Sequence, residues 1–410
     1  MGKIRAFIFL EINFNNMMNN YTPKNLPVQN IKWESFVHLI GKANVEIGRF
    51  DALLQNIPNP SVLLSPLTTN EAVLSSRIEG TQATLKEVLE FEANPQKETK
   101  KYKDIQEVIN YRKALKAAID EMENFSLSTR VIKKAHEILL QGVRSENKDR
   151  GNFRRQQVFI GKLGANIEQA TYVPPSAEKV ADLMSDLEKY IHAEEKDLLV
   201  QLAIVHAQFE MIHPFMDGNG RVGRMIMPLF LYFKKAIFYP SFYLSEYFES
   251  HRDEYYKALL DISQNDNWDG WITFFLQAVV EQSKENIAKA KKIIKLYEQK
   301  KQRITELTKS QFSIKILDAL FVMPIFQSQD FIRISKIPKA SAFRYIAILE
   351  KNEVISSDKK RKNKLYFSLR GRSLSNDIEL NPGPPGIKTK FSCECSLIIF
   401  LISIIRQPQK

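Results

Sequence analysis

The chain has 410 residues, 44% hydrophobic and 26% charged, with 59 Lys and Arg against 47 Asp and Glu for a net charge of +12. That length supports two or three domains, and the balance is that of a soluble globular protein whose positive charge permits phosphate-rich partners without requiring them. The two cysteines, Cys393 and Cys395, both lie in the tail. The preceding chain therefore excludes a disulfide framework and a cysteine-based zinc site, and it suits a reducing cytoplasm. The longest apolar run, 396–405, is too short to cross a bilayer as a helix. Glu11 ends the apolar stretch after Lys3 and Arg5 too soon for a secretory signal.

Taken in order, residues 1–25 stand apart as an Asn-rich start with Met17 and Met18 inside it, read as disordered or as an upstream extension of the true start. From about residue 31 apolar residues recur at helical spacing: Val73, Leu74, Ile78, then Leu85, Val88, Leu89. Helices are predicted at about 101–123, 127–142, 177–192, 196–213, 219–236, 245–263 and 268–300. One stretch departs from this. Val158, Phe159, Ile160 and Gly161, a turn, then Thr171-Tyr172-Val173 read as a β-hairpin closed by Pro174-Pro175. Its free edge could pair with an extended peptide, and a plain surface loop is the other reading.

The segment 291–304 is a basic helical linker. In 305–370, helices are predicted around Ile314–Leu320, Gln329–Ile334 and Ala340–Glu350. Val354-Ile355 and Leu365-Tyr366-Phe367 are predicted strands around the basic turn Lys359-Lys360-Arg361-Lys362. Three helices and a two-stranded wing make a winged helix-turn-helix. Ser341, Arg344 and Tyr345 could face DNA, although a protein-binding or dimerising role fits as well.

The stretch His213-Pro-Phe-Met-Asp-Gly-Asn-Gly-Arg-Val-Gly-Arg224 carries the chemistry. Gly218, Asn219 and Gly220 stand where a helix begins, and its Val222, Met225, Ile226 and Leu229 share a face. Pro228 should kink that helix. Backbone N–H groups at such an N-terminus attract anions, and glycine lets a phosphate approach closely. Arg221 and Arg224, three apart, can grip phosphate oxygens with forked donors. Asp217 offers a hard oxygen to Mg2+. A neutral His213 can take a proton from a hydroxyl. Base, metal ligand, anion nest and clamps together suit phosphoryl or nucleotidyl transfer.

This stretch resembles the signature of the Fic family, His-x-Phe-x-Asp/Glu-Gly-Asn-Gly-Arg-x-x-Arg, at every fixed position. The resemblance implies an all-α Fido core with a β-hairpin flap, plus the winged helix. Residues 26–125 would be the N-terminal helical region with an inhibitory helix, and 126–290 the catalytic core. It further implies transfer of AMP from ATP to Tyr, Thr or Ser hydroxyls of a target protein not named by the sequence, with auto-modification. His213 would be the base and Asp217 the Mg2+ ligand. Gly218, Asn219 and Gly220 would cradle the phosphates, Arg221 and Arg224 would hold the β- and γ-phosphates, and Gln208 and Tyr255 would line the nucleotide pocket. The hairpin at Val158, Phe159, Ile160 and Gly161 would dock the target. Relatives often carry two glycines there, whereas Gly161 is followed by Lys162.

A second element of that family, Ser/Thr-x-x-x-Glu-Gly/Asn, is met by Ser75, Glu79 and Gly80. The resemblance implies auto-inhibition, with Glu79 pairing with Arg224 in place of the γ-phosphate. Gly80 is also a natural helix stop. Residues 371–410 form a tail in which Asp377–Pro384 resembles the end of ribosome-skipping peptides. Three further readings stay open: a DNA-binding regulator whose Fic domain senses nucleotide, removal of AMP in place of its transfer, and a homodimer through the apolar helix faces. No membrane association is expected.

Overall fold

A computed structural model describes residues 20–368 apart from 58, 96–98, 144–147, 162–165, 359 and 361–362. The expectations for 1–19, for the tail 371–410 with Cys393 and Cys395, and for Lys162, Lys359, Arg361 and Lys362 lie outside the described residues. The chain divides into two units, one of Met1–Ile57, Leu67–Ala83 and Lys101–Ala288, the other of Pro58–Pro66, Thr84–Lys100 and Lys289–Lys410.

The helices begin with α1 (Val37–Gln55), α2 (Pro60–Leu63), α3 (Ser65–Ile78), α4 (Leu85–Ala93), α5 (Tyr102–Met122) and α6 (Thr129–Leu139). They continue with α7 (Val180–His192), α8 (Leu198–Ile212), α9 (Asn219–Phe233), α10 (Ser245–Ser250), α11 (Arg252–Asn265) and α12 (Trp268–Thr308). No helix among the described residues is long and apolar enough to cross a membrane.

In the first unit α8 is the central helix. Nearly every side chain from Leu199 to Ile212 is buried, so this helix is apolar all round, as a helix walled in by others must be. Helices α1, α7, α9 and α11 pack on it. Asp197 caps its start, accepting from the amides of Leu199 (2.9 Å) and Val200 (3.0 Å). The fully buried Trp271 of α12 donates its indole N–H to the Ala203 carbonyl at 2.8 Å. Helix α9 runs unbroken through Pro228, which leaves the Arg224 carbonyl without its usual donor.

Two expectations change in detail. The helix expected over 245–263 is split at His251, where the backbone turns to φ −113°, ψ 40°. There the imidazole stacks on Tyr247 at 4.0 Å, and its Nδ1 competes for the Tyr247 carbonyl at 3.0 Å. Among the described residues of 156–172, the expected hairpin shows one antiparallel bridge, between Ile160 and Tyr172. Pro174 and Pro175 cannot donate to a longer ladder. The extended segment 20–26 flanks it: Tyr21 N–H donates to the Val173 carbonyl (3.0 Å), and Leu26 N–H donates to Asp186 (2.9 Å).

The second unit holds α2, α4, the end of α12, and then α13 (Ser313–Val322), β1 (Ile325–Phe326), α14 (Ser328–Ser335), α15 (Lys339–Lys351), β2 (Ile355–Ser357) and β3 (Tyr366–Ser368). The strands form an antiparallel sheet of order β1-β3-β2, pairing Ile325 with Phe367 and Ser356 with Phe367. Ile316, Leu317, Leu320, Phe331, Ile346 and Leu349 are buried in this unit. Helix α2 packs on α13 and α4 on β1. The three expected helices and two strands each fall on an element. The two-residue β1 is too short to leave a pattern in the sequence.

Candidate active site

The site is a tight loop between α8 and α9. His213 ends α8 in the left-handed region at φ +50°, and Gly218 precedes α9 at φ +80°. These two reversals fold 213–218 back on itself. The fully buried Asn219 locks the fold: its Oδ1 accepts from Phe215 N–H and its Nδ2 donates to the Phe215 carbonyl, both at 2.8 Å. The Asn219 amide is thus engaged in shaping the loop.

Two residues that the sequence reading did not single out hold the loop in place. His136 of α6 stacks on Phe215 at 3.7 Å. Its Nδ1 accepts from Gly151 N–H (2.9 Å), so the proton sits on Nε2, which donates to the Asp217 carbonyl (2.9 Å). Burial pushes its pKa down to about 4, which keeps the ring neutral and that tautomer fixed. Arg154 is buried and donates to the carbonyls of His213 (2.9 Å), Gln156 (3.1 Å) and Pro175 (2.5 Å). Its own N–H donates to the Pro214 carbonyl at 2.9 Å. One guanidinium therefore finishes the end of α8 and ties it to the roots of the flap.

His213 is 4% exposed, and its Nδ1 lies 3.3 Å from the Glu210 carbonyl. Burial, and then the Arg154 charge, lower its pKa to about 4, so the imidazole is neutral at pH 7. Asp217 accepts from Gly218 N–H (2.6 Å) and lies 3.3 Å from Lys148 and 3.5 Å from Arg221. No side chain caps α9, whose first N–H groups lack intrahelical acceptors.

Helix α3 brings a row of polar groups to this place. Glu71, Ser75 and Glu79 are four apart and share one face. The helix closes in a Schellman turn, with Thr81 N–H on the Ser76 carbonyl (3.1 Å), Gly80 N–H on the Arg77 carbonyl (2.9 Å) and Gly80 at φ +95°. Glu79 stands in that turn. Its Oε1 accepts from Arg224 Nη2 at 2.7 Å. Arg224, 1% exposed, also donates to Ser75 Oγ and to the Ser75 carbonyl, each at 2.9 Å. Burial alone would lower its pKa, but Glu79, Tyr255 and Glu210 together raise it, so the guanidinium stays charged. Such a pair persists only because its hydrogen bonds are well made. A Cβ on Gly220 would come within 2.2 Å of Glu79 Oε1, so a larger residue there would push the carboxylate from its place.

Other acids crowd the same arginine. Glu71 accepts from Ser245 Oγ (2.5 Å) and Tyr111 Oη (3.1 Å), and burial pushes its pKa up to about 7. Glu210 is pushed up to about 8 by burial, and its Oε1 would lie 2.2 Å from a Cβ on Gly223. Arg221 lies 3.4 Å from Glu107 of α5.

The structure therefore brings together Ser75, Glu79, Gly80, His213, Asp217, Gly218, Asn219, Gly220, Arg221 and Arg224. Tyr255 stacks on Phe248 at 4.5 Å and shares a 3.0 Å hydrogen bond with His206, whose other ring nitrogen lies 3.2 Å from the Gly223 carbonyl. Gln208 sits two residues from His206 and so on the other side of α8, where its Nε2 donates to the Lys24 carbonyl at 2.9 Å. Val158, Phe159 and Gly161 are buried, and Ile160 makes the bridge to Tyr172. The residues not foreseen are His136, Lys148, Arg154, Glu107 and Glu210. His136 alone left a trace, a histidine on the apolar face of α6 with Val131, Ile132, Ala135 and Leu139.

Residues 37–120 match the Fic/DOC family N-terminal model, and residues 126–231 match the Fic/DOC family model. The protein adenylyltransferase Fic of Culex quinquefasciatus is 32% identical over 119 residues, which is 28% of this chain and 21% of that protein. That of Drosophila yakuba is 36% identical over 80 residues, 19% of this chain and 14% of that protein. The chain thus matches only a small part of the length of these relatives. A crystal structure of a Fic family protein from Desulfovibrio desulfuricans G20 superposes with a TM-score of 0.54 at 21% identity, over 86% of this chain and 99% of that one. That likeness is one of fold. Two successive stretches of the chain thus resemble the two Fic/DOC models, and the loop from His213 to Arg224 lies within the second.

Proposed function

We propose that this protein transfers AMP from ATP to a hydroxyl group of a protein substrate, and that Glu79 restrains the reaction. The carrying observation is the convergence in one loop of neutral His213, the Asp217 carboxylate and an uncapped helix N-terminus flanked by Arg221 and Arg224. His213 accepts the proton of the incoming hydroxyl, whose oxygen bonds to the α-phosphorus of ATP while the bond to the β-phosphate bridge breaks and pyrophosphate leaves. The α9 amides and the two arginines face the charge that develops on the phosphates. Asp217 suits Mg2+, because a single hard carboxylate at a phosphate site is the usual protein share of that ion's shell. When bound, Mg2+ would neutralise phosphate charge there. Lys148 and Arg221 hold the carboxylate in the resting chain.

The restraint follows from position. Glu79 lies over Gly220 and on Arg224, where it denies the arginine to a phosphate and leaves ATP misaligned for in-line attack. We read residues 305–370 as a winged helix-turn-helix. Phe343, 45% exposed on α15, favours a protein partner over duplex DNA. The deciding experiment is intact-mass spectrometry with ATP and Mg2+ on wild type, Glu79→Gly and His213→Ala. Addition of AMP to the first two but not the third supports the reading. No addition to any form, with no labelling of added lysate proteins, overturns it.

A further inference from the structure

The Glu79–Arg224 pair accounts for one arginine of the loop and leaves the other unexplained. Arg221 is 4% exposed, yet it is held differently from the structural Arg154. It makes two long ion pairs, 3.4 Å to Glu107 Oε2 and 3.5 Å to Asp217 Oδ1, and its buried Nε has no hydrogen-bond partner. It is a cation with donors to spare. The tighter bond of Glu107 Oε2 is to a different residue, Thr81 Oγ1, at 2.7 Å. Thr81 is also the residue whose N–H closes α3 on the Ser76 carbonyl, so it belongs to the turn that presents Glu79. Its neighbour Gln82 donates N–H to Asp104 Oδ2 at 2.9 Å, a second mooring of the same turn to α5.

We propose that Glu107 is a second brake, a positioning residue that competes with phosphate for Arg221 and is itself set by the inhibitory turn through Thr81. The proposal rests on the reading of Arg221 as a phosphate clamp. A phosphate arriving at Arg221 meets the Glu107 carboxylate at the same guanidinium, in a pocket where like charges are poorly screened. To engage Arg221 fully the nucleotide must displace Glu107, and that strains the Thr81 bond. The two carboxylates, Glu79 and Glu107, thus neutralise both arginines in the resting chain, and a single turn holds both.

The test measures binding of α,β-methylene-ATP with Mg2+ by calorimetry, on the full chain carrying Glu79→Gly so that the first brake is absent. Adding Glu107→Gln, which keeps the shape and removes the charge, should tighten binding about tenfold, on the scale of one buried charge contact. Adding Thr81→Val, which removes only the hydroxyl, should tighten it about twofold to threefold, the effect of one modest hydrogen bond. Unchanged or weaker binding in Glu107→Gln would overturn the second brake. If that variant does not fold, Thr81→Val decides, because it leaves the ion pair in place; no gain there overturns the proposal. Arg221→Ala separates the two levels. Weaker binding in Arg221→Ala with no gain in Glu107→Gln sinks only the second brake. Unchanged binding in Arg221→Ala removes the clamp reading as well.

Discussion

Two helix ends meet at this site, and they are finished in opposite ways. The C-terminus of α3 is closed completely: its carbonyls accept from the Schellman turn, from Arg224 at Ser75 and from Arg252 at Ile78 (2.5 Å). The N-terminus of α9 has no side-chain cap, because Gly218 stands at the N-cap and the following Asn219 braces Phe215. A closed end holds a shape, while an open one holds a ligand. Glu79 joins them. It places an anion at the negative end of its own helix, which the macrodipole disfavours, and beside the positive end of another, which favours it.

That contrast can be broken at either end. The largest effect should come from the α9 side: His213→Ala is expected to lower AMP transfer about 10³-fold, measured as initial rate in the Glu79→Gly background. From the α3 side, Glu79→Gly should raise auto-modification about tenfold to a hundredfold, read as the rate of mass gain. Acid offers the next largest contrast, about tenfold between a shielded and an unshielded histidine. In the proposed reaction neutral His213 is the active form, and its pKa of about 4 lies below the ordinary value, so protonation sets in only under strongly acidic conditions. The Glu79→Gly enzyme should hold its kcat/KM from pH 7 down to pH 5.5, where an unshifted histidine would leave about a tenth. A limb near pH 6.5 would show that His213 is not so shielded. The smallest effect tests the turn: Gly80→Ala forces a side chain into φ +95° and should cost about 1 kcal/mol in chemical denaturation while partly loosening the restraint.

Much of this was legible because it is local. The helices announced themselves by apolar spacing, and the proposed catalytic roles fall within the twelve residues from His213 to Arg224. The Ser75-to-Gly80 element was legible as a helix end. What the sequence concealed was partnership at a distance. Arg154 contacts a carbonyl 59 residues away, Glu107 meets Arg221 across 114, and neither has neighbours that betray it. The break at His251 was hidden because a side chain, not glycine or proline, disturbs the helix there. Asn219 shows a different limit. Its place in the motif suggests a phosphate contact, and nothing in the motif announces that its side chain also braces the Phe215 backbone.

Arg154 has a consequence for how the molecule breathes. Its side chain gathers the end of α8 and the segments at Gln156 and Pro175, and its backbone N–H adds the loop after His213. Local opening of any one of these releases hydrogen bonds of the others. The three should therefore exchange their amide protons as one cooperative unit and unlock together, rather than the flap fraying while the histidine stays in place. Any chain that pulled on the segment at Gln156 and Pro175 would then be pulling, through a single guanidinium, on the carbonyl of His213.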